Sequence, residues 1–125
     1  MMSLVFVVDG VAERCSTIQY ALEGAGYLVE TCAYGHVLEA APPRRPAALV
    51  IAMDLMGRSG VDLCHHLRQC PELSDTGMVV VADSKVSNHR AVIGSSVDIC
   101  LSMPFAPGEI ALAVESAIRR RAKLG

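Results

Sequence analysis

Side chains that bind metal ions are concentrated in one short stretch, Cys64-His65-His66 with Cys70. Thiolate and imidazole groups are the usual ligands of structural zinc, which takes four of them in a tetrahedral array. On a helix Cys64 and His65 would point about 100° apart, and no second cluster of such residues completes a site. We therefore predict that Cys64 faces the core, that both histidines face solvent, and that the stretch binds no metal.

Carboxylates that follow apolar runs are the second group of candidates. Asp9 follows the run Leu4–Val8, and Asp54 lies two residues past Ala52. Asp9 has the chemistry to bind a metal ion or to accept hydrogen bonds from loop amides, and we favour the amides. Asp54 is expected to cap a backbone amide or to face solvent, although a local bulge would turn it toward the face of Ala52.

Sequence motifs of enzymes are absent. The segment after the first apolar run, DGVAER, is neither a dinucleotide-binding nor a Walker glycine loop. No Ser-His-Asp set with a nucleophile elbow is visible either. We predict no enzymatic activity and no cofactor.

The elements that must position these residues alternate between strands and helices. Continuous apolar runs rich in β-branched residues are typical of strands buried on both faces. The predicted strands are Leu4–Val8, Tyr27–Cys32, Ala48–Met53, Met78–Ala82 and Ile99–Leu101. The predicted helices are Ala12–Ala25, Gly35–Ala41, Gly60–Cys70, Ser87–Ile93 and Pro107–Lys123, with a loop over Asp54–Ser59.

This alternation predicts a single α/β domain over residues 1–125. We expect a flavodoxin-like, doubly wound parallel sheet of five strands in the order 2-1-3-4-5, with five helices in a three-layer α/β/α arrangement. In such sheets ligands gather at the carboxyl ends of the strands. The residues to examine there are Asp9, Gly10, Ala52 to Asp54, Ala82-Asp83 and Ser102-Met103.

Composition and charge narrow the class of protein. The formal net charge is −2, which argues against direct binding of nucleic acid by this domain. The 5 cysteines form no CxxC pair, and neither an export signal nor an apolar run of the ~20 residues that span a bilayer is visible. We expect a cytoplasmic protein with reduced thiols and no membrane partner. The basic run Arg119–Arg121 is expected to be a solvated last turn of the final helix.

Several segments resemble, in order and along nearly the whole chain, the receiver domain of response regulators of the chemotaxis type. VFVVDG is similar to its first strand, and ALEGAGYLVETCAYG to its first helix and second strand. RPAALVIAMDLMGRSGVDLCHHLR is similar to its third strand and the next helix, and VDICLSMPFAPGEI to its fifth strand, proline turn and last helix. The resemblance implies a two-component, phosphorelay-type signalling protein. It also implies a cis Met103-Pro104 bond and a switch position at Cys100, which we expect to be a buried small hydrophobe.

In that family two acidic residues after the first strand bind magnesium together with an aspartate that ends the third strand and accepts the phosphoryl group. A Ser or Thr ending the fourth strand and a Lys ending the fifth contact the phosphoryl oxygens. Matched residue by residue, the acidic pair falls on Asp9 and Gly10, the acceptor on Ala52, the hydroxyl on Ala82 and the lysine on Met103. Among these positions Asp9 alone keeps the family's functional group.

These departures remove phosphotransfer and are mutually consistent. Transfer to a side chain needs a nucleophilic oxygen and neutralisation of the phosphoryl charge, and Ala52 and Met103 supply neither. Once the acidic cluster is reduced to one carboxylate, a lysine there would be a partly buried cation with little to pair with, which is costly. Met103 keeps the length of such a side chain without its charge. We therefore expect packing in place of chemistry at this edge.

The leading hypothesis is a pseudo-receiver that acts as a protein-interaction or dimerisation module without phosphorylation. The resemblance places the partner face on the fourth helix, fifth strand and fifth helix, within 87–121. Two alternatives stay open, namely an atypical phosphoacceptor that uses Asp54 and a small-ligand or metal sensor at the pocket above Asp9 and Met103. The charged residues of the candidate face, which solubility explains equally well, are Asp98, Glu109, Glu115 and Arg119.

Overall fold

The computed structural model describes residues 2–33, 45–55, 58–82 and 96–124. Five parallel strands of these residues form one sheet in the predicted order, β2-β1-β3-β4-β5. Every residue of β1, β3 and β4 is buried, because helices cover both faces of a parallel sheet. The strands are β1 (Leu4–Val8), β2 (Leu28–Cys32), β3 (Ala48–Ala52), β4 (Gly77–Ala82) and β5 (Ile99–Ser102).

The described residues contain three α-helices, α1 (Ala12–Gly24), α2 (Gly60–Arg68) and α3 (Pro107–Leu124). Helix α2 ends two residues before the predicted Cys70. The reason is that Pro71 disfavours a helical backbone at the residue before it, and Cys70 is extended, with φ −77° and ψ 119°. The two other predicted helices, over 35–41 and 87–93, lie outside the described residues.

The core lies on both faces of the sheet, with α1 and α3 on one side and α2 on the other. A Cβ on Gly77 would lie 2.8 Å from a backbone atom of Ala117, so glycine is needed where α3 approaches β4. Among the described residues no helix is both long and apolar enough to cross a bilayer. The helix residues buried against the sheet include Ile18, Leu22, Ile110 and Val114 on the first face and Leu63, Cys64 and Leu67 on the second.

The segment Asp54–Ser59 was predicted to be a loop, and that prediction is wrong in part. Asp54–Leu55 and Arg58–Ser59 pair as a short antiparallel hairpin. Leu55 is buried in the core on the α2 side of the sheet. This burial holds the hairpin in place where the chain passes from β3 to α2. The amide of Gly60 then donates to the carbonyl of Met53 at 2.7 Å, so the connection closes next to the carboxyl end of β3.

Candidate functional site

The carboxyl ends of the strands meet at one edge of the sheet, as a parallel order requires. Ala52, the last residue of β3, is in register with Val81, and Ala82, the last residue of β4, is in register with Ser102. The structure therefore brings to this edge the five positions that the family resemblance singled out, Asp9, Gly10, Ala52, Ala82 and Met103.

Packing differs among these five positions. Ala52 packs in the core on the α2 side of the sheet, Ala82 is buried, and Gly10 is exposed. A Cβ on Gly10 would lie 3.6 Å from the carbonyl oxygen of Ala33, an ordinary contact, so the position has room for a side chain. The backbone of Ala52 is covered closely, since a Cβ on Gly60 would lie 2.0 Å from its carbonyl oxygen.

The side chain of Asp9 is buried, and both of its oxygens accept hydrogen bonds. Its Oδ1 accepts from the amide of Val11 at 2.9 Å and from Nη2 of Arg14 at 2.7 Å, while its Oδ2 accepts from Nε of Arg14. The side chain of Asp9 is 1% exposed and that of Arg14 is 21% exposed. The predicted bond to a loop amide is confirmed, and a two-point pair with a guanidinium is added to it.

Sequence reasoning missed Arg14, although one signal was available. Arg14 lies in the first turn of α1, where the helix dipole disfavours a cation. A basic residue at that place implies a nearby carboxylate, and Asp9 precedes it by five residues. The hydrogen bond to Asp9 is the main cause that raises the pKa of Arg14, while burial opposes it, so the guanidinium keeps its charge.

Met103 completes the edge from the side of β5. Its amide donates to the carbonyl of Ala82 at 2.8 Å, and its Sδ lies 3.8 Å from Nη1 of Arg14. The Met103-Pro104 bond is cis, as predicted. Arg14 thus contacts both Asp9 and Met103, and it joins α1 to the turn that follows β5.

Magnesium, which the family resemblance implies, does not fit the residues at this edge. The ion takes near-octahedral oxygen ligands, whereas both oxygens of Asp9 already accept hydrogen bonds and Gly10 and Ala52 contribute no ligand side chain. Over 2–33, 45–55, 58–82 and 96–124, no group of three or more His, Cys, Asp or Glu is placed to hold a metal ion.

Asp54, the alternative acceptor, lies on the hairpin beyond β3 and is exposed. Its charge helps to raise the pKa of Arg14. The hydrogen bond from Arg14 to Asp9 and the charge of Asp9 raise that pKa more, while burial lowers it. Asp54 is therefore a neighbour of the edge. Asp54 belongs to the separate two-stranded hairpin, two residues beyond Ala52, the last residue of β3.

An open groove of about 490 Å³ lies beside this edge. Arg14 and Met103 contribute to its wall, as the hypothesis of a small-ligand sensor requires, and Asp9 does not. The residues that line the groove are Val11, Glu13, Arg14 and Thr17 from α1 and the turn before it, and Met103, Pro104 and Phe105 from the turn after β5.

The burial of the cysteine and histidine candidates is largely as predicted. Cys64 is buried and His65 and His66 are exposed. Burial raises the pKa of the Cys64 thiol to about 12, so this side chain behaves as a core residue. Cys100, expected to be buried, is only half-buried, because it lies on the edge strand β5, and burial raises its pKa as well.

Asp98 was predicted to lie on an interaction face, and that prediction is wrong. Its side chain is 0% exposed and lies 2.8 Å from Arg121, 3.2 Å from Arg120 and 3.4 Å from Arg68. Its Oδ2 also accepts from the amide of Met78 at 2.9 Å. Asp98 directly precedes β5, so it anchors the amino edge of the sheet to the ends of α2 and α3.

The expectation that Arg119–Arg121 forms a solvated turn is also wrong in part. Arg121 is buried against Asp98, because the last turn of α3 packs back on the sheet, and Arg120 is half-exposed. Burial, followed by the charge of Arg121, lowers the pKa of Arg68. Only Arg119 of the three is mostly exposed, and it pairs with Glu115 one turn earlier at 2.9 Å.

The other charged residues of the candidate face are on the surface. Glu109 accepts from the amide of Ala106 at 2.9 Å, which caps α3. Glu115 is close enough to Tyr27, before β2, to contribute to raising the pKa of Tyr27, although burial is the larger cause. The exposed residues Glu109, Leu112, Glu115 and Arg119 form one stripe along the helix, which we call the α3 stripe.

No protein-family model matches the sequence. The phosphate regulon transcriptional regulatory protein PhoB of Rhizobium meliloti is 28% identical over 122 residues, which are 96% of this chain and 54% of that protein. The alkaline phosphatase synthesis transcriptional regulatory protein PhoP of Bacillus subtilis is 29% identical over 119 residues, 93% of this chain and 48% of that protein. The chain spans about half the length of the curated relatives it matches.

Solved structures agree with these relatives. A response regulator from Chloroflexus aurantiacus superposes with a TM-score of 0.86 at 25% identity, covering 96% of this chain and 100% of that one. A receiver domain from Clostridium thermocellum superposes with a TM-score of 0.84 at 16% identity, covering 99% and 100%. The flavodoxin-like fold is confirmed, and relatives and neighbours together support a receiver domain of the CheY-like type.

Proposed function

We propose that this chain, a response regulator receiver domain by its relatives and its fold, acts as a pseudo-receiver whose signalling does not depend on phosphorylation. Its role is then to bind another protein or a second copy of itself. The observation that carries the proposal is the state of the carboxyl edge, where the carboxylate of Asp9, directly after β1, is paired with Arg14 and where β3 ends in Ala52.

Phosphotransfer needs a nucleophilic oxygen, a donor to the phosphoryl oxygens and a free neutralising charge. A nucleophilic oxygen is missing at Ala52, and a donor to the phosphoryl oxygens is missing at Ala82 and Met103. Among the side chains that the structure describes at this edge, the neutralising charge is that of Arg14, whose Nε and Nη2 are already bonded to Asp9. Burial of Ala52 and Ala82 supports the view that this edge now contributes to the core.

The α3 stripe is the part of the described surface that best suits a protein partner. Leu112 is 57% exposed at its centre, with an acidic residue on one side and the Glu115–Arg119 pair on the other. Two copies packed antiparallel about an axis between Leu112 and Glu115 would bring Glu109 of one near Arg119 of the other, as a self-complementary interface requires. We propose self-association through this stripe, in a cytoplasmic protein.

The whole protein's output is a separate proposal. The named relatives are transcriptional regulators about twice as long as this chain. The net charge of −2 does not favour contact with nucleic acid. If an output domain accompanies this domain in a longer protein, we propose that the receiver acts on it through protein contacts.

Intact-mass spectrometry after incubation with a small phosphodonor and magnesium tests the proposal. Both the native chain and Asp54→Asn are expected to keep their mass, while a phosphorylatable receiver treated in parallel gains one phosphoryl group. A gain on the native chain that Asp54→Asn abolishes would establish the alternative acceptor and refute the pseudo-receiver.

A small-ligand sensor is the second candidate, because the groove beside Arg14 and Met103 has the volume for a ligand. Ligands that bind the native state raise its melting temperature by mass action. Thermal unfolding in the presence of nucleotides, metal ions and small metabolites therefore tests it. A rise that Phe105→Ala removes would support the sensor, and no response to any class would count against it.

A further inference from the structure

Arg14 has an environment that a surface arginine does not need. It lies in the first turn of α1, at the positive end of the helix dipole, yet its side chain is only 21% exposed. All three guanidinium nitrogens face the carboxyl edge, with Nε and Nη2 on Asp9 and Nη1 3.8 Å from Sδ of Met103. Orienting a long side chain so completely costs conformational entropy, so a compensating interaction is required.

Asp9 supplies that interaction, because a buried carboxylate must be neutralised. Its side chain is 1% exposed, and an unpaired charge at such a place is strongly destabilising. The amide of Val11 gives a hydrogen bond but no net charge. Among the described residues Arg14 is the cation in contact with Asp9, and its planar fork matches both carboxylate oxygens.

We infer that Arg14 is a built-in cation of the carboxyl edge, which replaces a bound metal ion and holds α1 against the Met103 turn. This inference rests on the proposed function, in which the edge no longer takes part in phosphotransfer. A metal ion would bind and leave with its concentration, whereas a covalently attached guanidinium is always present. The edge is thereby held in one arrangement without metal or phosphate.

A double-mutant cycle on Asp9 and Arg14 gives a direct test. Arg14→Met keeps the length of the side chain and its contact with Met103 but leaves the carboxylate of Asp9 without its cation. We expect it to lower the melting temperature by about 5 °C or more. Adding Asp9→Asn should recover a large part of that loss, since the buried charge is then gone. Arg119→Met, which removes a cation from an exposed pair, is the matched control and should show no such recovery.

Two further results decide the inference. The melting temperature of the native chain should not change in millimolar magnesium chloride beyond the change in sodium chloride of equal ionic strength. Additive losses in Asp9→Asn/Arg14→Met, or a magnesium-specific rise in the native chain, would overturn the inference. If Arg14→Met does not fold, Arg14→Lys serves instead, and its smaller loss should again diminish with Asp9→Asn.

These outcomes are separable from those of the phosphorylation assay. Phosphorylation of Asp54 would refute the pseudo-receiver while leaving the Asp9–Arg14 coupling measurable. Additivity in the cycle would refute the role of Arg14 while leaving the absence of phosphotransfer intact.

Discussion

Arg121 and Asp98 join the end of α3 to the beginning of β5, with Nη2 of the arginine 2.8 Å from Oδ1 of the aspartate. Both side chains are buried, and Arg68 and Arg120 approach the same carboxylate. The carboxylate of Asp98 therefore pairs with three arginines at the amino edge of the sheet, opposite the candidate site. This cluster fixes the last helix, on which the proposed interaction surface lies.

Asp98→Asn should destabilise the fold by about 3 kcal/mol, because the substitution leaves buried guanidinium groups without their anion. Urea unfolding measures the change. The control is Glu115→Gln, which breaks the exposed pair with Arg119 and should cost less than about 1 kcal/mol. Equal effects of the two substitutions would mean that the buried cluster is not the anchor described above.

Gly60→Ala should also be strongly destabilising. The added Cβ would lie 2.0 Å from the carbonyl oxygen of Ala52, so the start of α2 must move away from β3, at a cost of about 1–3 kcal/mol. Gly108→Ala is the matched control, since a Cβ there meets nothing within 4 Å and alanine favours a helix. A neutral Gly60→Ala would show that α2 does not close on β3 as the structure has it.

Sequence predicted the fold well because each element had a local signal. The continuous apolar runs of β1, β3 and β4 indicated strands covered on both faces, and the alternation of elements fixed a parallel sheet. The short hairpin at Asp54 has no such signal, because each of its strands is two residues long. It was therefore missed.

The candidate site was predicted in part, for a related reason. Strand ends identify which residues reach the carboxyl edge, so Asp9, Ala52 and Met103 were found. The partners of these carboxylates are long arginine side chains on the helices. Where the helices place those side chains cannot be read from the pattern of the strands. Arg14 was therefore missed, and Asp98 was assigned to the surface although the arginines of α2 and α3 surround it.

Thiol reactivity should separate Cys64 from Cys70. Burial raises the pKa of Cys64 to about 12, so a maleimide reagent at neutral pH should modify it only as the chain unfolds. Cys70 is more accessible, and its hydrogen bond to Glu72 raises its pKa. Glu72→Gln should therefore increase the thiolate fraction and speed the labelling of Cys70. Peptide mapping after timed labelling measures both rates, and an unchanged Cys70 rate would argue against the contact with Glu72.

Leu112→Glu should weaken self-association through the α3 stripe. The substitution places a charge at the apolar centre of the surface and should shift the chain toward the monomer. Light scattering after size-exclusion chromatography over a range of concentrations measures the change. Tyr20→Glu is the control, because Tyr20 is 82% exposed on α1 and outside the stripe. A native chain that is monomeric at all concentrations would exclude self-association and leave a different protein as the partner.

We propose that the carboxyl edge has become part of the packed core and no longer responds to phosphoryl groups or metal. A ¹H–¹⁵N correlation spectrum of the chain, recorded before and after addition of a small phosphodonor and magnesium, tests this most directly. We expect unchanged amide positions for Asp9, Ala52, Ala82 and Met103. Shifts at these amides that spread to α3 would contradict it, since they would mean that the edge still binds the phosphoryl group and passes the change on.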